Sequence, residues 1–344
     1  MAQYAAYSVG MLRIIFIKDE WQDAPLLGRK VQDYMTRALS GGAQPVVAGD
    51  VGEAKRIADG ISGDVAALPL SMPLISRDKL ESVAARMRAK KLKHLSLGES
   101  GDAFIKLAGE GDGGFSVNDE AFFKIVDAKS FCMVYNLLRE RIVAARVADG
   151  ANVFMPQTVA IDDTVRIAAG ANILPFSRIE GDSFVDSGAS VSASYVRDSA
   201  IGRGASVEMS HVVSSEIGEG TTVGPFARLR GAVVAENCRV GDFVEIKASD
   251  IAAGTKAAHL AYIGDASVGE RTNIGCGSVF CNYDGHSKHR TQVGKDCFIG
   301  ANVNLVAPIE VGDGAFIAAG TTLTESVKND TFSIGRSRQT TKSR

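Results

Sequence analysis

From Ile161 to Leu323 an aliphatic residue returns at every sixth position for most of the way. Ile161, Ile167, Ile173, Ile179, Val185 and Val191 open the series, and Val293, Ile299, Leu305, Val311, Ile317 and Leu323 close it. Helices repeat near 3.6 residues and strands at 2, so neither produces this period. A six-residue repeat with Gly, Ala or Asp just after the aliphatic residue predicts a parallel β-helix, each hexapeptide forming one flat side of a coil. Three hexapeptides make a coil of about 18 residues, so the stretch predicts roughly nine coils, a prism about 43 Å long at ~4.8 Å per coil. Steps of five shift the phase at Ile251, Ala257 and Ile263 and again at Val268, Ile274 and Phe280. The largest break runs from Cys281 to Gln292 and holds Tyr283, His286, Lys288, His289 and Arg290. A long loop on a rigid solenoid is where function is expected.

The preceding residues read differently. Leu12 to Ile17 and Pro45 to Ala48 suit buried strands, and Leu26, Leu27, Val31, Tyr34, Met35 and Ala38 recur at helical spacing between them, with Gly41 and Gly42 as a stop. This predicts a βαβ unit in a mainly parallel sheet. A further helix is expected over Ser76 to Leu92, capped by Ser76, with Lys90, Lys91 and Lys93 at its solvated end. Asp112 to Gly114 reads as a turn. Phe122, Ile125, Val126, Met133, Val134, Leu137, Leu138 and Ile142 then predict a connecting helix or helix pair over about Asp119 to Val143, able to cover the first coil. The expected domains are an α/β domain over 1–118, a helical connector over 119–149, the β-helix over 150–330 and a tail over 331–344.

Charge excludes some partners. Lys and Arg total 38 against 40 Asp and Glu, a formal charge of -2, which gives no reason to expect nucleic acid or an anionic membrane. No apolar run approaches a membrane span. Leu12 to Ile17 is too short for a secretory leader and is followed by Lys18, Asp19 and Glu20. The five cysteines (Cys132, Cys238, Cys276, Cys281, Cys297) form no C-x-x-C pair, so a reducing cytoplasm is expected, with neither disulfides nor a zinc site.

Bare repeats need no chemistry, and taken alone they fit a structural surface. Seven runs carry more: 224–230 (Gly-Pro-Phe-Ala-Arg-Leu-Arg), 240–247 (Val-Gly-Asp-Phe-Val-Glu-Ile-Lys), 256–265 (Lys-Ala-Ala-His-Leu-Ala-Tyr-Ile-Gly-Asp), 272–277 (Thr-Asn-Ile-Gly-Cys-Gly), 281–285 (Cys-Asn-Tyr-Asp-Gly), 305–308 (Leu-Val-Ala-Pro) and 317–322 (Ile-Ala-Ala-Gly-Thr-Thr). In this order they closely resemble the acetyltransferase half of the bacterial bifunctional enzymes that make UDP-N-acetylglucosamine, with weaker similarity reaching back to about Asn118. The resemblance implies a left-handed β-helix, a homotrimer with sites between subunits, and transfer of acetyl from acetyl-CoA to the amine of glucosamine 1-phosphate or a close amino-sugar phosphate, with no metal.

An amino sugar near neutral pH is largely an ammonium ion, so acylation needs a base beside the nitrogen. His259 matches the family at that place, and imidazoles titrate near neutrality. By the same match Arg230, Lys247, Tyr262 and Asn273 bind the sugar phosphate, where cations suit phosphate through charge-assisted hydrogen bonds. Glu245, two residues from Lys247 on one strand face, is expected to orient the sugar or His259. For the cofactor the match gives Cys276, Asn282, Tyr283, Ala301, Ala319 and Arg336, with Lys288 toward a phosphate. Arg336 lies in a tail expected to order against a neighbouring subunit. Alanine is usual in the family where Cys276 stands, and serine where Ala301 stands, which bears on acyl preference. Cys276 could also accept the acyl group itself, although an activated thioester needs no relay and direct transfer is the favoured course.

The N-terminal part departs from the family. After the first strand comes Lys18-Asp19-Glu20-Trp21, with no glycine before Gly28, so no glycine-rich phosphate loop is present. Ser71 stands where the family has a magnesium-binding aspartate, and Asn118 matches the second metal position. These losses predict a degenerate nucleotidyltransferase-like domain without uridyltransferase activity. They also admit an alternative for the whole chain, a non-catalytic sugar-nucleotide-binding or scaffold protein.

Overall fold

A computed structural model describes residues 7–9, 12–39, 46–98, 102–108, 114–117 and 119–343. Gly41, Gly42, Pro45, Asp112, Gly113 and Asn118, all singled out in the sequence, lie outside them. The chain divides into two compact units, Met1–Arg141 and Ile142–Arg344, with the division inside the helix Ala128–Ala148.

In the first unit the strand Leu12–Ile17 is central. It pairs in parallel with Val46–Ala48 and Val65–Pro69 and antiparallel with Tyr7–Val9. The sheet continues through Ala103–Lys106 and His94–Leu97, both antiparallel to their predecessors, to a parallel Gly114–Val117. Alternation along the central strand feeds two cores. Leu12, Ile14 and Phe16 pack with Met35, Leu39, Leu80, Val83 and Met87 of the helices Val31–Leu39 and Arg77–Ala89. Ile15 and Ile17 pack with Ala54 and Ala58 of the helix Val51–Asp59. Both faces are covered, which is why the strand reads as one apolar run.

Two helix boundaries differ from expectation. Leu26 and Leu27 are not helical: Pro25–Leu26 pairs antiparallel with Arg29–Lys30 around Leu27 (φ 42°) and Gly28 (φ 84°), and the helix starts at Val31. Left-handed backbone at two successive residues cannot continue into a right-handed helix. Likewise Phe122 lies in a short 3₁₀ turn, Glu120–Phe122, and Ile125 and Val126 precede the long helix. That helix begins at Ala128 because Asp127 Oδ1 accepts the Ser130 N–H (2.7 Å) while Ser130 Oγ accepts the Asp127 N–H (3.0 Å), a reciprocal cap. Ser76 caps Arg77–Ala89 as predicted, accepting the Lys79 N–H at 3.3 Å.

The second unit is a left-handed parallel β-helix with three walls. Its first wall has eleven strands, from Asn152–Val153 to Phe332–Ser333. The expected nine coils were too few, because the solenoid extends beyond the six-residue series at both ends and many coils are shorter than eighteen residues. Register shows this directly. Ile161 pairs with Ile179 eighteen residues on, Ile201 with Ile217 sixteen on, and Val234 with Ile251 seventeen on. Shorter coils turn one or two six-residue sides into five, which places Val196, Val212 and Val234 in the interior, each buried. At the break, Ile274 pairs with Ile299, so that coil is 25 residues long and carries the 281–292 excursion.

Small hydroxyl residues line two of the inner corners. Ser183 Oγ accepts the Ser199 N–H (3.2 Å), Ser199 Oγ that of Ser215 (3.0 Å), and Ser215 Oγ that of Ala232 (3.1 Å). Ser194, Ser210 and Ala227 repeat the pattern at another corner. Where the chain bends, the strand-to-strand N–H loses its carbonyl, and a buried N–H left alone is costly. The hydroxyl replaces that acceptor. At the N-terminal end, Arg146 reaches the Asp163 carbonyl (3.1 Å) and Gly170 donates to the Gly150 carbonyl (2.9 Å), so the helix end lies on the first coil. Ser199→Ala should leave the Ser215 N–H unpaired and lower stability by about 1–3 kcal/mol, read as a lower denaturant midpoint by circular dichroism.

Candidate active site

The strands Arg239–Lys247 and Lys256–Gly264 are the longest of the β-helix, nine residues each, because they continue around a corner from the first wall to the second. Their register pairs Asp242 with His259, Glu245 with Tyr262 and Lys247 with Gly264. At the bend Phe243 (φ 58°) and Leu260 (φ 31°) take left-handed backbone and point outward, exposed. His259 stands immediately before that bend, its Nδ1 3.8 Å from Asp242 Oδ2 and its side chain 58% exposed. That separation is an electrostatic contact, too long for a hydrogen bond.

The same corner position recurs on later coils. Ala257 pairs with Ile274 and Tyr262 with Val279, so Cys276 stands one coil beyond His259. The Gly277 N–H donates to the Leu260 carbonyl, Asn302 to Cys276 and Gly320 to Ala301, at 2.6, 2.8 and 2.8 Å. Asp242, His259, Cys276, Ala301 and Ala319 thus form one column along the axis. Glycine keeps its coils close: a Cβ at Gly275 would stand 2.5 Å from the Gly300 carbonyl carbon, and one at Gly300 2.5 Å from Ala319 N. Arg336 joins the far end, its Cδ 3.7 Å from where a Cβ of Gly320 would be.

A second group lies on the second wall. Arg230 Nε donates to Glu245 Oε1 (3.1 Å), and a guanidinium Nη2 also reaches that oxygen. Lys247 Nζ is 3.1 Å from Asp265 Oδ2, which also accepts from the Asn282 amide. Asn282 is buried and lies 3.4 Å from the Tyr262 hydroxyl, whose ring crosses Gly264, where a Cβ would stand 2.5 Å from the hydroxyl oxygen. The Asp265 hydrogen bond raises the Lys247 ammonium pKa. Burial opposes charge on Asp265, but the Lys247 and Asn282 contacts outweigh it and hold its carboxyl below the ordinary value.

The 281–292 excursion is built. Tyr283 and Lys288 form an antiparallel bridge, Tyr283 Oη donates to the Gly285 carbonyl (2.7 Å), and the His289 N–H donates to the Asn282 carbonyl (2.8 Å). Asp284 accepts the N–H groups of Ser287 and His286 and meets the His289 ring at 2.7 Å; the Ser287 N–H, then His289, hold its carboxyl well below the usual range. Arg290 bonds Ser267 (2.6 Å) and Asp250 on the third wall. His286, His289 and Arg290 therefore shape the loop, while Lys288 faces the Lys247–Asp265 pair.

The structure brings Arg230, Glu245, Lys247, Tyr262, Asn282 and Lys288 together, and aligns His259 with Cys276, Ala301, Ala319 and Arg336. Asn273 is apart, on the first wall between Lys256 and Phe298. Tyr283 is exposed at the loop surface. Asp242 and Asp265 were not singled out in the sequence. Both lie inside matching runs, and a seventeen-residue coil would have pointed to Asp242 beneath His259.

Several known proteins are similar to parts of this chain. The hexapeptide repeat of succinyl-transferase matches residues 290–325. The bifunctional protein GlmU of Staphylococcus haemolyticus is 42% identical over 207 residues, 60% of this chain and 46% of that protein. The bifunctional protein GlmU of Clostridium tetani is 44% identical over 240 residues, 69% of this chain and 53% of its own. A UDP-N-acetylglucosamine acyltransferase structure from Francisella novicida covers 53% of this chain and 66% of its own at 14% identity, with a TM-score of 0.38. The later coils of the solenoid thus carry the hexapeptide repeat that the matched family model describes. More particularly, the C-terminal part of the chain is homologous to the acetyltransferase half of the bifunctional GlmU proteins, and the chain spans about half the length of the curated relatives it matches.

The pH behaviour of the second group follows from the two shifts. A depressed Asp265 pKa stabilises the fold above the ordinary carboxylate value and is lost as pH falls through the depressed one; a raised Lys247 pKa stabilises below the ordinary lysine value and is lost as pH rises through the raised one. The pair is intact between about pH 4 and pH 10. An NMR titration should place the Asp265 carboxyl below 3.8, and Lys247→Met should move it upward.

Proposed function

We propose that the chain is an N-acetyltransferase that moves acetyl from acetyl-CoA to the amine of glucosamine 1-phosphate or a close amino-sugar phosphate. The observation that carries the reading is the corner column, where an exposed imidazole backed by Asp242 stands on the coil of Tyr262, one coil from Lys247 and two from Arg230, and in line with Cys276, Ala301 and Ala319. His259 takes the proton from the amine, and Asp242 stabilises the imidazolium that results. Arg230 and Lys247 hold the sugar phosphate as cations already oriented by Glu245 and Asp265, and Tyr262 meets the sugar. Acetyl-CoA supplies an activated thioester, held by the column, Asn282, Tyr283, Lys288 and Arg336, and no metal is needed. Such a reaction belongs in a cytoplasm that supplies acetyl-CoA; no helix among the described residues is long and apolar enough to cross a membrane.

The acting form is a homotrimer with Asn273 contributed across a subunit boundary, which accounts for its distance from the sugar-phosphate group. An apolar ridge supports this. Met209, Phe226, Phe243 and Leu260 follow one another at one corner, each between 42% and 62% exposed, with the two phenylalanine rings stacked at 5.5 Å. A contiguous exposed apolar strip is the mark of a protein interface. Phe243→Asp should reduce the trimer to smaller species in sedimentation velocity.

The N-terminal unit is read as catalytically silent. Asp19 is occupied by the N–H groups of Trp21 (3.1 Å) and Ser71 (3.0 Å), and Ser71 is fully buried. Magnesium-dependent pyrophosphate release from UTP would overturn this. For the main reading, free thiol should appear when acetyl-CoA and glucosamine 1-phosphate are mixed with the protein, and His259→Ala should slow it by about 10²–10⁴-fold without abolishing acetyl-CoA binding. Undiminished turnover would remove His259 as the base. Calorimetric binding of a UDP-sugar with no thiol release for any amino sugar would favour the non-catalytic alternative.

A further inference from the structure

We propose that Cys276 is an acyl acceptor in its own right, so that the chain forms an S-acyl enzyme when no amine is present. The proposal rests on the reading that an acyl thioester reaches this corner. It goes beyond that reading by placing a covalent intermediate on a residue that direct transfer does not use.

The argument is one of register. Asp242, His259 and Cys276 occupy the same corner position on three successive coils, and adjacent parallel strands lie about 4.8 Å apart. A carboxylate, an imidazole and a thiol in that order are the parts of an activated nucleophile: orienting acid, base, sulfur. Asp242 faces Nδ1, which leaves Nε2 to act as the base. Cys276 is exposed, as is His259, whereas Cys238 and Cys297 are buried with their sulfurs bonded to interior carbonyls at 3.2 and 3.1 Å. Burial raises the thiol pKa of Cys238, of Cys297 and of the half-buried Cys281, which disfavours their thiolates. Cys132 is exposed but lies on the Ala128–Ala148 helix of the other unit.

The step balances without an oxidant. The thiol proton passes to His259, Sγ attacks the thioester carbonyl, and a Cys276 Sγ–acyl bond replaces the bond to the coenzyme sulfur. That sulfur leaves as a thiolate and takes the proton from His259. One thioester is exchanged for another, so little free energy separates the two sides, and an amine reaching the corner can then take the acyl group from Cys276.

Intact-protein and peptide mass spectrometry after incubation with acetyl-CoA alone tests this, alongside a small S-acetyl thioester that lacks the nucleotide. Both reagents are expected to leave one hydroxylamine-labile acetyl group on the Cys276 peptide. It should be absent in Cys276→Ala, form at least tenfold more slowly in His259→Gln, and spare Cys132. Labelling by the small thioester but not by acetyl-CoA supports the nucleophile and overturns the coenzyme reading instead. No adduct from either reagent, equal labelling of Cys132, or an unchanged rate in His259→Gln overturns the proposal.

Discussion

The coil-to-coil hydrogen bond of the parallel solenoid is the constraint on which the rest of the second unit depends. Each strand residue donates to the coil beside it, so a side chain's neighbours along the axis are set by the number of residues in a turn. With coils of seventeen residues, Asp242, His259 and Cys276 fall into line; with eighteen they would not. On earlier coils the corner hydroxyls of Ser183, Ser199 and Ser215 accept N–H groups that a bent strand would otherwise leave unpaired.

Regularity also makes the exceptions conspicuous. A solenoid presents outward positions in columns, and most carry residues that need only water. The candidate site is where two columns hold charge and imidazole and where one coil swells to hold Asn282 against Asp265. Arg230 and Lys247 each have a carboxylate partner about a third exposed or less. Such pairing orients cations for a phosphate more than it adds stability, since surface ion pairs contribute little net energy.

The first unit follows different physics. Its central strand is buried on both faces and its helices are fixed by caps, while the loop after the strand is held by Asp19 rather than by a run of glycines.

The sequence by itself determined the β-helix, since only a flat-sided coil has a six-residue aliphatic period, and its matching runs named nearly every residue of the candidate site. It also located the Ser76 cap and the 281–292 excursion. Coil length was decided only by the tertiary structure. Five-residue sides hide in a six-residue search, so the interior places of Val196 and Val212 and the number of coils could not be counted from spacing alone. The same holds for Leu26 and Phe122, whose helical spacing yielded to a left-handed turn and to the Asp127–Ser130 cap. Only the folded register put Asp242 beneath His259 and Asp265 against Lys247, because those neighbours are separated in the chain by seventeen or eighteen residues and meet solely through the hydrogen bonds between coils.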